Sequence, residues 1–171
     1  MTADYVCIAT GGYPKPAMFE WLRELGHAVE NPVPSLFTFN TPSHPLTQLM
    51  GVSVPNAKIK IAGTKLIQQG PLLVTHWGLS GPAILKLSAW GARELAEKNW
   101  EFGIRVNWLP DFNEQSLNEK FQSLRSQYSA QKIYFKNPFG LPQRLWEFLL
   151  NASEISSEQN WADLPAKNKT Q

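Results

Sequence analysis

Thr75-His76-Trp77-Gly78-Leu79-Ser80-Gly81-Pro82 sets a histidine, two hydroxyls and two glycines between a Leu/Val run and a segment that reads as a helix. Two kinds of chemistry suit such a turn. A helix start behind Ser80-Gly81 offers free N–H groups and the positive end of the helix dipole, a fit for a carboxylate or a phosphate. His76 shares the turn and is the candidate for proton chemistry, while Thr75 and Trp77 would shape a place for a flat aromatic ligand. A plainer reading needs no ligand: Ser80 caps the helix and Pro82 takes its first turn. A nucleophilic serine is excluded, because the hydrolase elbow requires Gly-x-Ser-x-Gly and Pro82 stands where the last glycine belongs.

The other candidates are sparser. Gly11 and Gly12 end the stretch ADYVCIATGG and would allow a close backbone approach, as dinucleotide sites need, although many tight turns read the same way. His27 follows a helix end, where a cation meets the negative dipole. His44 lies in a proline-rich loop with no evident partner. Three scattered histidines and the single Cys7 give no metal site, and no carboxylate pair is spaced for acid–base work.

Lys58, Lys60 and Lys65 form a mildly basic patch that reads as a solvated strand face. The net charge of +2 is too small to argue for nucleic acid or an anionic membrane, so neither is expected as a partner. One cysteine fits a reducing, cytoplasmic setting. No apolar run approaches the ~20 residues that span a bilayer, and Asp4 interrupts the only apolar stretch near the start, with no basic region before it. Seven tryptophans imply that some lie at the edge of a pocket or interface.

The elements that must position these residues follow from periodicity. Tyr5-Val6-Cys7-Ile8 reads as a short, fully buried strand, of the kind found inside a parallel sheet. Yet no βαβ alternation and no Gly-x-Gly-x-x-Gly follow, so it looks like one strand of a sheet encoded elsewhere. A helix starts at Pro16, carries Met18, Trp21, Leu22 and Leu25 on one stripe, and ends at Gly26. A short strand is expected at Ser35–Phe39.

NAKIKIAGTKLIQQGPLLVTHW reads as a hairpin turning at Ala62-Gly63, with another strand at Leu72–Thr75. A helix from Pro82 to about Lys98 should break or kink near Gly91. Residues 100–110 alternate as a strand, with Phe102, Ile104, Val106 and Trp108 opposite Arg105 and Asn107 in parity. Beyond Pro110 the pattern turns helical: Asn113 caps Glu114–Ser129, a second helix covers Gln143–Asn151, and a third begins near Ser156. The fold class is therefore α+β: a small, mainly antiparallel β-barrel or sheet plus a helical subdomain. The expected divisions are 1–15, 16–110 and 111–171.

Taken in order, IATGG-YP, a helix ending in LGH, PVPSLFTF, GPLLVTHWGLSGPAILKLS and NWADLP resemble the BaiN-type bacterial flavoproteins, which are NAD(P)- and FAD-dependent oxidoreductases. The pattern over residues 70–88 is the specific part. The resemblance implies that the first strand belongs to a Rossmann-type FAD domain and that the rest is a barrel-and-helix insert covering the substrate. It implies FAD in the whole enzyme, with Thr10, Gly11 and Gly12 against it and Thr75, His76, Gly78, Ser80 and Gly81 facing flavin and substrate. His76 is the one candidate for catalysis. The implied partners are the FAD-binding domain of the same parent chain and a small organic substrate. The family's glycine-rich half is not in this sequence, so tight FAD binding and activity are not expected of this stretch alone.

Two rival readings remain at this point. A free-standing small barrel with Lys58, Lys60, Lys65 and exposed tryptophans would bind single-stranded nucleic acid or a peptide, with lysines and tryptophans on one outer face. An assembly domain would use residues 3–12 as a docking strand.

Overall fold

Side chains along a strand alternate between its two faces, and that rule sorts the central sheet. The computed structural model describes residues 4–9, 11–13 and 15–164. In it, β2 (Ser53–Ile61) and β3 (Ile67–Val74) form an antiparallel hairpin. Ala57, Ile59 and Ile61 are completely buried on one face of β2, and Lys58 and Lys60 hold the alternate positions. Pro55-Asn56 falls where the β2–β3 register shifts. A proline has no N–H to give to a ladder, so an irregularity is the natural place for it.

β4 (Gly78–Ser80) extends the sheet beside β3, β1 (Phe39–Asn40) beside β4, and β5 (Ile104–Asn107) beside β2. The order is β1-β4-β3-β2-β5, antiparallel throughout. The sheet curls into a half-barrel, and with the helices gives the expected α+β fold. Its inner face is filled by Phe39, Val54, Ile59, Leu72, Val74 and Leu79. α2 (Pro82–Trp90) and α3 (Ala92–Glu97) add Ala83, Ile84, Leu87 and Leu95 to the same core. Full burial of the Ile and Leu side chains contributes about 1.5–3 kcal/mol each. The helix breaks at Gly91, as its sequence implies.

The helical part follows. α4 (Glu114–Gln127) opens on a reciprocal cap: the Asn113 side chain accepts from Ser116 N at 2.8 Å, and Ser116 Oγ accepts from Asn113 N at 3.0 Å. α5 (Gln143–Ala152) buries Leu145, Trp146 and Leu150. Trp146 stacks on the fully buried Trp161 with ring centroids 6.4 Å apart, and its Nε1 donates to the Ile133 carbonyl at 3.0 Å. Among the described residues, no helix is long and apolar enough to cross a membrane.

The chain divides into two compact units, Met1–Pro34 and Ser35–Gln171. The first holds a 3-10 turn, Pro16–Phe19, running into α1 (Glu20–Glu24), with Tyr13 edge-on to Phe19 at 5.1 Å. None of its described residues is buried.

Several expectations are corrected. Residues 4–9 join no strand of this chain, and Tyr5 is 94% exposed, so the burial expected of them is not met here. A strand needs a neighbour for its N–H and C=O groups, and the sheet order contains none for them. Met18 and Leu25 of the α1 stripe are likewise exposed. The strand expected at Ser35–Phe39 is two residues, Phe39–Asn40, because β4 is short and β1 pairs only with it. Leu72–Thr75 is no separate strand but the end of β3, since the β2 pairing continues to Ser53↔Leu73. The third helix near Ser156 is replaced by a 3-10 turn at Trp161–Asp163, which buries Trp161.

Candidate functional site

The Thr75–Gly78 turn is a two-residue hairpin loop joining β3 to β4. Thr75 N donates to the Gly78 carbonyl at 2.8 Å, and Gly78 N donates to Thr75 Oγ1 at 3.2 Å. β1 steadies the loop, with Thr41 N donating to the Trp77 carbonyl at 2.9 Å. The two residues at the tip, His76 and Trp77, are both exposed. Their rings meet edge to face with centroids 4.0 Å apart. A hydroxyl-bonded turn thus presents an imidazole and an indole to solvent on a rigid stem.

Gly78 and Gly81 are explained by packing inside this chain. A Cβ on Gly78 would lie 2.1 Å from the Phe39 carbonyl oxygen, and one on Gly81 would lie 2.8 Å from the Pro71 carbonyl oxygen. Both have positive φ, +154° and +102°, where side chains are strained. These glycines let β4 lie tightly between β1 and β3.

Ser80 does not cap α2. It is the last residue of β4, opposite Leu73, and Gly81 takes the cap position with no side-chain bond to the helix start. A strand residue facing Leu73 cannot also wrap back onto the helix. Ser80 is half-buried, and its hydroxyl makes no hydrogen bond among the described residues. The start of α2 therefore has no side-chain cap, and Ala83 and Ile84 of its first turn are buried.

Gly11 and Gly12 belong to the first unit and are exposed, with nothing within 4 Å of an added Cβ. Thr10 lies outside the described residues. The structure thus gathers Thr75, His76, Gly78, Ser80 and Gly81 on one hairpin and helix start, while Gly11 and Gly12 stand in a separate unit. His44, without a partner in sequence, accepts from Leu46 N on Nδ1 at 3.1 Å and caps a short 3-10 turn. No metal-binding group of His, Cys, Asp or Glu occurs among the described residues.

A second feature was only half visible in the sequence. β5 pairs with β2 so that Arg105 stands directly opposite Lys60, and Asn107 opposite Lys58. On the other side of β2, Gln69 faces Lys58. All of these occupy the face away from the buried core. Arg105 was recognisable as an outward residue by parity, but its partner depends on pairing across more than forty residues. Exposed Trp77 sits on the hairpin tip and exposed Trp90 at the end of α2, so no tryptophan occupies the strand positions of this cationic face.

Comparison with known proteins extends these observations. A family model described as the HI0933-like protein barrel and H2TH domain matches residues 33–171. A protein of Haemophilus influenzae named ribosomal RNA dihydrouridine synthase is 32% identical over 126 residues, covering 68% of this chain and 29% of that protein. A protein of the same name from Escherichia coli is 32% identical over 164 residues, covering 89% of this chain and 37% of its own length. The chain spans roughly a third of the length of the curated relatives it matches.

Proposed function

This chain belongs to the HI0933-like family of FAD-dependent oxidoreductase-like proteins, and from that premise we propose that it is the insert domain covering the flavin of an enzyme that reduces a uridine in ribosomal RNA. The observation that carries this reading is the shared name of two relatives that align over most of the chain. The BaiN-type resemblance of residues 70–88 supports the same flavin chemistry. A ribosomal uridine takes the place of the small organic substrate expected from sequence.

The groups on the hairpin fit part of such a site. The exposed His76 imidazole and the half-buried Ser80 hydroxyl suit the polar edge of a flat heteroaromatic ring, and Trp77 offers an apolar face. Nothing in the sequence provides the glycine loop that cradles a pyrophosphate. In this reading the hairpin covers the cofactor site and the rest of a longer enzyme supplies its floor.

FAD, when bound in the parent and recharged by a nicotinamide, would supply a hydride to C6 of uracil. Saturating the C5–C6 bond then requires one proton at C5, and His76 is the group placed to deliver it. Its ring nitrogens form no hydrogen bond among the described residues, so they are free to face a substrate. Trp77 and the hairpin stem would exclude water from the reacting carbons.

The whole parent gene is the material for the test. Expressed in a bacterium deprived of its own enzyme of this kind, it should restore dihydrouridine to ribosomal RNA, read by mass spectrometry of digested RNA. His76→Phe in the same parent should cut the product by about a hundredfold or more, with flavin content and solubility unchanged. A soluble, flavin-loaded parent that leaves ribosomal uridine unreduced would refute the reading.

A further inference from the structure

We infer that the outward face of β2 and β5 grips the phosphate backbone of the RNA substrate, an inference that rests on the ribosomal RNA reading above. Four outward positions on the two paired strands carry Lys58, Lys60, Arg105 and Asn107. Three of the four are cationic. Lys60 and Arg105 are directly opposed on neighbouring strands, a register in which like charges repel and destabilise a sheet. None of the three cations forms an ion pair among the described residues. The pair has no folding rationale, and an anionic partner supplies one.

The geometry favours a backbone over a base. Lys58 and Lys60 are about 6.8 Å apart along β2, and Arg105 lies one strand away, roughly 4.8 Å across the ladder. That makes a compact cluster able to neutralise successive phosphates. No aromatic side chain occupies these positions, so stacking on bases plays no part here. Gln69 and Asn107, flanking Lys58, add neutral hydrogen-bonding groups. The cluster is bounded: Gln69 Nε2 donates to Asn56 Oδ1 at 3.0 Å, and Asn56 Nδ2 donates to the Asp111 carboxylate at 3.3 Å. That carboxylate marks the edge beyond which a phosphate would be repelled. Binding here is blind to sequence, which leaves choice of the uridine to the flavin site.

The test uses this 171-residue chain and a short fluorescein-labelled RNA hairpin, titrated by anisotropy at several KCl concentrations. Wild type should bind at low salt. K58Q/K60Q/R105Q should bind at least tenfold more weakly, with the salt slope of log K reduced by about 2–3, the range for three lost contacts on single-stranded and duplex segments. K120Q, on α4, should bind as wild type does. K60Q alone should melt at the same temperature or slightly higher, because it removes a repulsion. A triple variant that holds RNA as tightly as wild type overturns the inference, as does a wild-type chain that ignores RNA. Equal or tighter binding of poly-glutamate overturns RNA as the occupant. If the parent makes dihydrouridine while the triple variant keeps full RNA affinity, this face is wrong and the enzymatic reading stands. If the parent makes none while the triple variant still loses RNA, the reading fails and the face stands as an RNA surface.

Discussion

Gly78 shows how a residue can resemble a ligand-binding glycine and serve the fold. The space its Cβ would fill is taken by the Phe39 carbonyl oxygen and Thr41 N of the neighbouring strand. Gly78→Ala should destabilise the protein by about 2–4 kcal/mol, since the backbone of residues 39–41 cannot yield as a flexible side chain would. Gly12, with open space around it and no positive φ, should accept alanine within about 0.5 kcal/mol. Urea unfolding of the two variants reads the contrast directly; equal stabilities would show that β4 is not held by this close approach. His76 and Trp77 behave oppositely. They are exposed, they serve no visible packing purpose, and the turn that carries them is closed by Thr75 rather than by either ring.

At the scale of elements, the best-supported local signal is the start of α4. Asn113 and Ser116 satisfy each other's backbone N–H groups, and an asparagine just before a helical stretch is a cap legible in the sequence. Asn113→Ala should cost about 1 kcal/mol, measured as a lower urea midpoint with an unchanged slope. Asn113→Ser should recover most of it, and no loss in the alanine variant would mean that the helix start is held by packing alone. The β2–β3 hairpin was legible for a related reason: alternation and a Gly-containing turn are local properties. Its strand ends were not, because Leu72–Val74 continue as strand only where Ser53 and Val54 lie alongside. The opposed Lys60 and Arg105 are the same lesson in charge. Each is an ordinary outward residue alone, and together they form a cluster with an expected penalty of about 0.2–1 kcal/mol.

The whole molecule has its described core in the second unit. Every buried residue, from Phe39 to Leu164, belongs to Ser35–Gln171, and the family match begins at residue 33. A chain starting at residue 33 should therefore unfold cooperatively, with a melting temperature within a few degrees of the full chain, by circular dichroism. A loss of cooperative melting would show that residues 1–32 complete the fold. Tyr5, Val6 and Ile8 of the first unit are exposed, and the chain spans roughly a third of its relatives' length.

The sequence by itself determined the class of fold, most of the helices, the principal hairpin and the likeness to flavoproteins. These depend on periodicity, capping residues and a contiguous motif, all of which are encoded within a few residues of one another. Tertiary structure alone decided three things. It showed that Gly78 and Gly81 accommodate neighbouring strands, that Ser80 belongs to β4 and leaves the α2 start uncapped, and that Arg105 faces Lys60. Each depends on which strand lies beside which, and strand pairing is set by burial of one continuous inner face, a property of the curled sheet that no single segment carries.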